Sequence, residues 1–401
     1  MNLNINRKRM IENFVRFAKI SSISGREGKA AELAERVFKT LEAKICFDNA
    51  GRKISAQTGN MFALFDGDPG TKPILLSAHL DTVGPCENVK PTVKRDRIVS
   101  DGTTVLGADC KAGIAIIIEA LSVLKENKIP RPPIEVVLSI SEEVGLLGAK
   151  FLDYSKIKSK YGIIFDNEKP LNEVVTNAPA ANKLDIKIYG MEAHAGVCPE
   201  KGISAIKIAA GALAGMKLGR IDFETTANIG IIKGGTATNI ITPLVELKGE
   251  ARSHSIKKLE KQTRHMEERF RIEINRARQR LNGGSGRVHP SGIGAIGASR
   301  KAAFHGVRCE FNASRSFPNL RIPGNSPILN VIKSSLNELG MRMQTKASGG
   351  GTDANIFYGR GIEAPNLGTG MRDVHTTGEY LDLEDFFNCA KLTLKIITTW
   401  R

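Results

Sequence analysis

Two patterns of hydrophobic and polar positions alternate along the first part of the chain. Apolar runs of strand length occupy 73–81, 134–141 and 161–167. Segments typical of helices lie between them, at 111–128 and 145–156. Apolar strands that alternate with helices are typical of a sheet covered on both faces. The pattern therefore predicts an α/β fold in which helices flank a sheet.

Another helix is predicted near the N-terminus. Ser24 and Glu27 have the spacing of a capping box, in which each side chain bonds the backbone of the first helical turn. Leu33, Val37 and Leu41 follow at four-residue spacing. We therefore expect a helix whose first turn is capped by the segment 24–27.

The pattern changes near residue 180. Residues 183–190 alternate polar and apolar positions, as a half-exposed strand does. A helix, two strands and a basic amphipathic helix are predicted next, at 201–218, 224–234, 239–253 and 255–280. This β-α-β-β-α order is typical of a small α+β sandwich of the ferredoxin-like kind. The α/β pattern resumes at 326–340, so we predict a discontinuous domain at 1–179 and 291–401 with a second domain, 180–290, inserted in it.

Composition favours a soluble globular protein. The 401 residues suggest two or three domains, and 41% hydrophobic and 25% charged residues are ordinary values. No apolar run approaches the roughly 20 residues of a membrane span, and the first residues lack the pattern of a signal peptide. The six cysteines are scattered without a C-x-x-C motif. This usage favours free thiols in a reducing cytoplasm.

The net charge of +16 raises the question of nucleic-acid binding. Between Lys257 and Arg321 there are 15 Lys and Arg against 5 Asp and Glu. Part of this segment is the predicted amphipathic helix, whose apolar face contains Ile256, Leu259, Met266, Phe270 and Ile274. Basic residues on the other face are typical of a solvated surface, and no aromatic residues are interleaved with them. We therefore predict no specific nucleic-acid partner and no membrane partner. Residues 282–310 lack periodicity, and we expect an irregular connection there.

Candidate chemistry lies where the apolar strands end. His79 and Asp81 follow the first strand, Glu142 and Glu143 the second, and Asp166 the third. The carboxyl edge of an open α/β sheet is where ligands bind. Asp109 precedes the helix at 111–128, and His375 lies in a polar loop near the C-terminus.

Each of these residues has an ordinary alternative. His79 could be a buried core histidine, Asp109 a helix N-cap, and His375 a surface histidine. Glu142 and Glu143 could be first-turn carboxylates favoured by the helix dipole. Together, however, imidazole and carboxylate ligands without thiolates suit zinc, or less specifically manganese or cobalt. Two metals a few ångströms apart would share a bridging carboxylate and activate a water.

A series of motifs extends this picture over nearly the whole chain. They are SAHLDTV, DGTTVLGADCKAG, SISEEVGLLGA, FDN, GMEAHAGVCPEKGISAI, GGTATNI, GEARSH, GGGTDAN and DVHTTGEY. In these motifs and their order the sequence resembles the peptidase T-like branch of the di-zinc exopeptidase superfamily, which includes aminoacylases and glutamate carboxypeptidases. The resemblance implies a metal-binding catalytic domain with a mixed sheet flanked by helices. It also implies that the inserted domain acts as a lid and dimerisation domain.

The resemblance assigns roles to the candidate residues. The implied ligands are His79 and Asp166 for one zinc and Glu143 and His375 for the other, with Asp109 bridging the two ions. Asp81 would orient the His79 ring, and Glu142 would be the general base that moves protons between the attacking water and the leaving amine.

Further residues would contact the substrate. His194 in the lid would stabilise the oxyanion, often in the partner subunit's site, which implies a homodimer. Asn239 and Arg252 would hold the polar end of the substrate, and without the resemblance they would be a turn residue and a surface residue. Gly350 and Thr352 belong to a loop that would line the cleft. The family often has an aspartate where this chain has Cys110, and a non-proline cis peptide there.

The function implied is that of a cytoplasmic di-zinc peptidase, most specifically an aminopeptidase acting on tripeptides. A carboxypeptidase or an N-acyl amino acid deacylase would use the same metals. A third hypothesis, from another class, is a catalytically silent metal-binding or interaction protein. The presence of Glu142 argues against it, because folding does not require a general base.

Overall fold

The computed structural model of the protein describes residues 4–282 and 306–401. The helices of the described residues are α1 (Arg7–Ala18), α2 (Gly28–Thr40), α3 (Ala50–Ile54), α4 (Ala108–Glu126), α5 (Leu147–Phe151), α6 (Ala205–Ala214), α7 (Ile256–Asn282), α8 (Pro327–Glu338), α9 (Asp353–Gly359) and α10 (Leu383–Thr399). Short 3-10 helices occupy Tyr154–Lys156 and Pro199–Lys201.

Eighteen strands accompany these helices in the described residues. They are β1 (Lys44–Phe47), β2 (Met61–Phe65), β3 (Ile74–His79), β4 (Thr92–Val93), β5 (Arg97–Val99), β6 (Ile134–Ser139), β7 (Gly162–Asn167), β8 (Glu173–Ala178), β9 (Ala180–Tyr189), β10 (Gly219–Asp222), β11 (Thr225–Gly234), β12 (Leu244–Ser253), β13 (Arg308–Phe317), β14 (Leu320–Arg321), β15 (Gln344–Ala347), β16 (Asn366–Gly368), β17 (Met371–Arg372) and β18 (Tyr380–Asp382). The apolar runs that predicted β3, β6 and β7 coincide with these strands.

The chain folds into two compact units. The first comprises Met1–Ala178 and Leu320–Arg401, and the second comprises Pro179–Asn319. The sequence predicted that the chain returns to the first domain at residue 291, whereas in the structure it returns at Leu320. The difference arises because β13 pairs antiparallel with β9 and so belongs to the sheet of the second unit.

A mixed sheet forms the centre of the first unit. Its strand order is β1-β2-β6-β3-β7-β16-β8-β14, with β15 paired to β8. The central strand β3 lies parallel to both β6 and β7, whereas β1, β2 and β14 lie antiparallel to their neighbours. β3 and β6 are buried along their whole length, which explains their continuous apolar sequences. A smaller sheet has the order β17-β18-β5-β4.

Helix α4 packs against this central sheet. Its residues from Ala108 to Leu124 are all buried, so this part of the helix has no solvent-exposed polar face. Helices α1 and α10 pack against it, as the shared core of Phe14, Ile117 and Phe386 shows. The first unit is therefore an α/β fold with a mixed sheet flanked by helices.

Among its described residues, the second unit has a five-stranded antiparallel sheet and two α-helices. The strand order is β10-β11-β12-β9-β13. Alternate residues of β9, namely Leu184, Ile186 and Ile188, are buried against α6 and α7. The apolar face predicted for the basic helix is the buried face of α7, with Met266 and Phe270 in this core.

Two local predictions were wrong. Glu27 directly precedes α2 but its side chain makes no capping hydrogen bond, so there is no capping box at residues 24–27. The helix predicted at 145–156 is only α5 followed by a 3-10 helix, because Leu146 adopts a left-handed conformation and Leu152 is extended. Most of the irregular segment predicted at 282–310 lies outside the described residues, and its last residues begin β13.

Candidate metal centre

The site is built at the carboxyl ends of parallel strands. His79 is the last residue of β3, Ser139 is the last residue of β6, and Asp166 lies near the end of β7. Since β3 is parallel to both neighbours, these ends meet at one edge of the sheet. His79 and Ser139 are register partners, so their side chains leave the sheet in the same direction.

The first cluster of metal-ligating side chains surrounds His79. Its Nε2 lies 2.9 Å from Asp109 Oδ1 and 3.7 Å from Asp166 Oδ1. Only 2% of His79 is exposed, so this imidazole is enclosed by carboxylates rather than by solvent. The Cys110 Sγ atom belongs to the same group, all of whose ligand atoms lie within 4.8 Å of one another.

The second cluster shares Asp109 with the first. His375 Nε2 lies 3.1 Å from Asp109 Oδ2 and 3.1 Å from Glu143 Oε1. The three residues again have ligand atoms within 4.8 Å of one another. The two oxygens of Asp109 thus face different imidazoles, which is the arrangement of a carboxylate between two adjacent cation sites. The structure therefore brings together the five residues that the sequence proposed as ligands.

The backbone around Asp109 is held from outside the cluster. Gly107 and Asp109 donate their backbone N–H groups to the Glu379 carboxylate, at 2.8 and 3.0 Å. The peptide bond between Asp109 and Cys110 is cis, as the resemblance implied. The buried Cys110 thiol donates to the Phe165 carbonyl at 2.5 Å. Burial raises the pKa of this thiol well above its usual range, so the group is neutral at pH 7.

Asp81 contacts His79 more closely through its backbone carbonyl than through its carboxylate. The His79 Nδ1 atom lies 2.9 Å from the backbone carbonyl of Asp81 and 3.5 Å from Oδ1. The Asp81 carboxylate instead accepts hydrogen bonds from the backbone N–H groups of Glu142 and Glu143, at 3.0 and 3.1 Å. It also accepts a hydrogen bond from Ser24 Oγ at 2.7 Å. Asp81 thus holds both the histidine and the pair of glutamates.

Glu142 is next to the clusters but belongs to neither. Its neighbour Glu143 takes part in the second cluster, whereas the Glu142 side chain is in neither group of ligand atoms. Burial, followed by the negative charge of Asp166, raises the pKa of Glu142 well above its usual range. The carboxyl group of Glu142 is therefore buried, and the backbone of Glu142 is held by Asp81.

The charges in the clusters shift one another's ionisation. Hydrogen bonds to Asp109 and Glu143 raise the pKa of His375 to about 10. Burial, together with the charge of Asp109, raises the pKa of Asp166 to about 8. Burial opposes the ionisation of Asp109, but hydrogen bonds to His375 and His79 lower its pKa below the usual value. Without a cation, the excess of carboxylates thus draws protons into the site.

The glycine-rich loop and the residues after it contact the same region. Thr352 caps α9 in a capping box with Asn355, and Gly350 donates its N–H to Ser348 Oγ at 3.1 Å. The next residue, Asp353, accepts a hydrogen bond from Ser139 at the end of β6. Its other oxygen is buried without a hydrogen-bond partner among the described residues, and burial raises the pKa of Asp353 to about 6.

The remaining predicted residues lie in the second unit. His194 is exposed, and its Nδ1 accepts from the Gly196 N–H at 3.2 Å. The Asn239 carbonyl accepts from the Ala195 N–H at 2.9 Å, so these two residues lie in adjacent segments. The Arg252 guanidinium on β12 makes two hydrogen bonds to Glu250, at 2.9 and 3.0 Å.

Sequence reasoning missed several residues that hold the ligands. Glu379 fixes the Asp109 backbone, and Asn366 binds both the N–H and the carbonyl of Asp166, at 2.9 and 2.6 Å. Neither Glu379 nor Asn366 follows one of the apolar strands, and both are distant in sequence from the residues that they hold. The only available signal was that Glu379 lies in the same polar loop as His375.

The donor set fits divalent cations. Each cluster offers one imidazole nitrogen and carboxylate oxygens, and Asp109 contributes one oxygen to each. Nitrogen and oxygen donors of this kind suit zinc and related transition metals. Cations would also balance the carboxylate charge that, after burial, raises the pKa of Asp166.

Comparison with known proteins places these observations in a family. The model of peptidase family M20/M25/M40 matches residues 75–399. The chain belongs to this peptidase family. It is therefore a hydrolase that acts on peptide bonds, and its clusters support a metal-dependent peptidase.

Individual relatives cover the chain almost completely. The crystal structure of aminopeptidase PepT from Bacillus cereus is 36% identical, with a TM-score of 0.84 and 98% of each chain covered. A tripeptidase from Staphylococcus aureus is 34% identical, with a TM-score of 0.86 and 98% of each chain covered. "Uncharacterized protein YqjE" of Bacillus subtilis is 35% identical over 98% of both chains. This M20/M25/M40 peptidase thus shares its fold along its whole length with peptidases of the PepT kind.

Proposed function

We propose that the protein is a di-zinc aminopeptidase that removes the N-terminal residue from tripeptides and similar short peptides. The observation that carries the proposal is the pair of ligand clusters that share Asp109, next to the uncommitted carboxyl group of Glu142. The similarity to an aminopeptidase PepT and a tripeptidase, each over 98% of the chain, supports the choice of reaction and substrate.

Five residues would hold the metals. His79 and Asp166 would bind one ion, and Glu143 and His375 the other, with Asp109 between them. When bound, two divalent cations polarise the scissile carbonyl and lower the pKa of the attacking water. Manganese or cobalt would fit the same nitrogen and oxygen donors.

The protein's own proton carrier is Glu142. Its carboxylate accepts a proton from the attacking water and then gives a proton to the leaving amine. Burial and the Asp166 charge raise the pKa of Glu142, which makes it a stronger base than an exposed glutamate. Glu143 is engaged by His375, so the two adjacent glutamates divide the work of ligand and base.

The second unit would supply contacts to the substrate. His194 would donate a hydrogen bond to the developing oxyanion, and Asn239 and Arg252 would bind the polar end of the peptide. The exposure of His194 leaves its ring available for this role. Gly350 and Thr352 would line the cleft from the first unit.

We also propose a cytoplasmic homodimer that forms through the second unit. Strand β10 pairs only with Thr225–Ala227 of β11, so the rest of β11 is an open sheet edge among the described residues. Ile231 and Ile232 on this edge are 46% and 55% exposed. An open strand edge with apolar side chains is a ready site for pairing with a second chain.

The proposed location in the cytoplasm is supported by the cysteines. All six cysteines are free, which suits a reducing compartment. In the described part of the chain, no helix has both the length and the apolarity to cross a bilayer.

The test is hydrolysis of three matched peptides by the zinc-loaded protein: a free tripeptide, its N-acetylated form and its C-terminal amide. We expect cleavage of the tripeptide and the amide but not of the acetylated peptide, because an aminopeptidase requires the free amine. Cleavage of the acetylated peptide would replace the proposal with a carboxypeptidase or an N-acyl amino acid deacylase. If no peptide in a broader panel were cleaved while two metals were bound, the protein would be a silent metal-binding protein instead.

A further inference from the structure

The loop that carries Glu142 is held from a distant part of the chain. We define the base loop as Ser141–Leu146 and the N-terminal brace as Ser22–Glu27. The brace runs beside the residues that directly follow β3, since Thr82 donates its N–H to the Ser22 carbonyl at 3.0 Å and Ser22 Oγ donates to the Leu80 carbonyl at 2.8 Å. These bonds anchor the brace to the segment that follows His79.

Two side chains of the brace bind the supports of the glutamates. The Glu27 Oε1 atom accepts hydrogen bonds from both the N–H and the hydroxyl of Ser141, each at 3.0 Å. Ser24 Oγ donates to Asp81 Oδ2, the same oxygen that accepts the Glu143 N–H. Glu27 thus fixes the residue before Glu142, and Ser24 fixes the carboxylate that holds Glu142 and Glu143.

The burial of Glu27 points to a role beyond forming a helix start. The residue is 0% exposed, and its Oε2 atom has no hydrogen-bond partner among the described residues. Enclosing a carboxyl group with one oxygen unpaired destabilises a fold. A conventional cap at the surface would start α2 without that penalty.

The conformation of Ser141 explains why the loop needs such a support. Ser141 has a positive φ of 51°, which is unfavourable for a residue with a side chain. The N–H and the hydroxyl of Ser141 are both bound by Glu27, so the contact holds the unfavourable conformation that directs the next residue, Glu142.

We propose that Glu27 and Ser24 are positioning residues that set the placement of the general base through Ser141 and Asp81. Neither residue belongs to a cluster of candidate metal ligands. The inference rests on the proposed function for its kinetic effect, but the geometry of the base loop can be measured without a substrate.

The main test compares Glu27→Ala with Glu32→Ala, a control at an exposed position of α2. We expect Glu27→Ala to lower kcat about 10- to 100-fold because misplacement by about 1 Å has effects of this size. KM should change by less than about 3-fold, and both metals should stay bound, since no ligand is altered. Glu32→Ala should leave kcat, KM and metal content unchanged.

Two further variants separate position from charge. Glu27→Gln keeps an oxygen that can accept from Ser141 and should recover most of the lost kcat. Glu27→Asp keeps the charge on a side chain one methylene shorter, and it should remain as slow as Glu27→Ala. Recovery by the aspartate but not the glutamine would overturn the proposal, because charge rather than reach would then matter.

Hydrogen exchange of the metal-loaded protein gives the readout that needs no substrate. In Glu27→Ala, backbone amides of the base loop and of residues 81–83 should exchange faster, with no change in Glu32→Ala. Unchanged exchange in the base loop would overturn the inference. If Glu27→Ala does not fold, Ser24→Ala removes a single hydrogen bond to Asp81, and the same local increase in exchange is expected from it.

The outcomes for the two proposals are distinct. If the wild type cleaves peptides and Glu27→Ala is as fast, the aminopeptidase proposal stands and the positioning role is wrong. If the wild type cleaves no peptide, the aminopeptidase proposal fails, and the exchange data alone decide whether the brace holds the base loop.

Discussion

The backbone N–H of Glu142 is bound by the Asp81 carboxylate, whereas the Glu142 side chain belongs to neither ligand cluster. We predict that Glu142→Gln, a nearly isosteric change, keeps both metals and lowers kcat by about 10²- to 10⁴-fold, the range expected for loss of a general base. Steady-state kinetics and metal analysis by mass spectrometry provide the test. Glu87→Gln removes the same charge at an exposed position and serves as the control. Full activity of Glu142→Gln would refute the assigned base.

The shifted pKa values of the ligands predict that metal binding releases protons. His375 with a pKa of about 10 and Asp166 with a pKa of about 8 are both protonated at pH 7 in the metal-free protein. Each must lose its proton to bind a cation, so affinity rises as the pH increases through these values and falls toward acid. Calorimetric titration with zinc in buffers of different ionisation enthalpy should report a net release of protons at pH 7.

His375→Ala provides the matched variant for this measurement. It should release about one proton fewer and should bind less zinc, because it removes the imidazole of the second cluster. Unchanged zinc stoichiometry would remove His375 from the ligand set.

The candidate metal ligands could be predicted from the sequence, but the residues that support them could not. His79, Asp166 and the pair of glutamates follow apolar strands, and parallel strands bring such positions together by a general rule. Ser24 and Glu27 also form a recognisable pattern, but it is the pattern of a local helix cap. Their true partners, Asp81 and Ser141, are distant in sequence and become neighbours only after the sheet has formed.

At the scale of elements, one arginine adds ion pairs to the packing of α1 against the buried helix α4. Arg9 donates two hydrogen bonds to Glu119, at 2.6 and 2.9 Å, and also pairs with Glu126. The Glu119 side chain is 0% exposed, so it depends on this partner and on the Asn6 N–H for its hydrogen bonds. The pair therefore joins the surface of α1 to the interior of α4.

We predict that Arg9→Ala lowers the free energy of unfolding by about 3–5 kcal/mol, because it leaves a buried carboxylate without its counter-charge. The shift of the urea unfolding midpoint measures the effect. Lys8→Ala removes an exposed pair with Glu12 on the same helix and should change the midpoint very little. Equal shifts for the two variants would mean that Glu119 gains another partner or a proton at low cost.

Elements with strong patterns were predicted well, and elements set by local backbone geometry were not. The apolar runs of β3 and β6 and the long helix α4 gave clear patterns, because both strands are buried throughout and α4 is buried from Ala108 to Leu124. α5 is short because Leu146 takes a left-handed conformation that no periodicity reveals. β13 was missed although Cys309 and Phe311 alternate with polar residues, because the preceding segment has no pattern.

At the scale of the whole molecule, the candidate ligands explain why the first unit is discontinuous. His79, Asp109 and Asp166 precede the second unit in sequence, whereas His375 follows it. The change of pattern near residue 180 revealed the insertion. The point of return could not be found from the sequence, since it depends on the pairing of β13 with β9.

The two ends of the insertion are neighbouring strands on both sides of the boundary. Ala178 of β8 faces Leu320 of β14, and Ala181 of β9 faces Phe317 of β13. Closing a disordered loop of this length, Pro179 to Asn319, would cost about 4 kcal/mol of chain entropy. Once the β9–β13 pairing has formed, that loop has already been closed. The order of assembly that avoids the entropic penalty is thus folding of the inserted unit first, followed by the joining of β8 and β14 as if a short hairpin connected them.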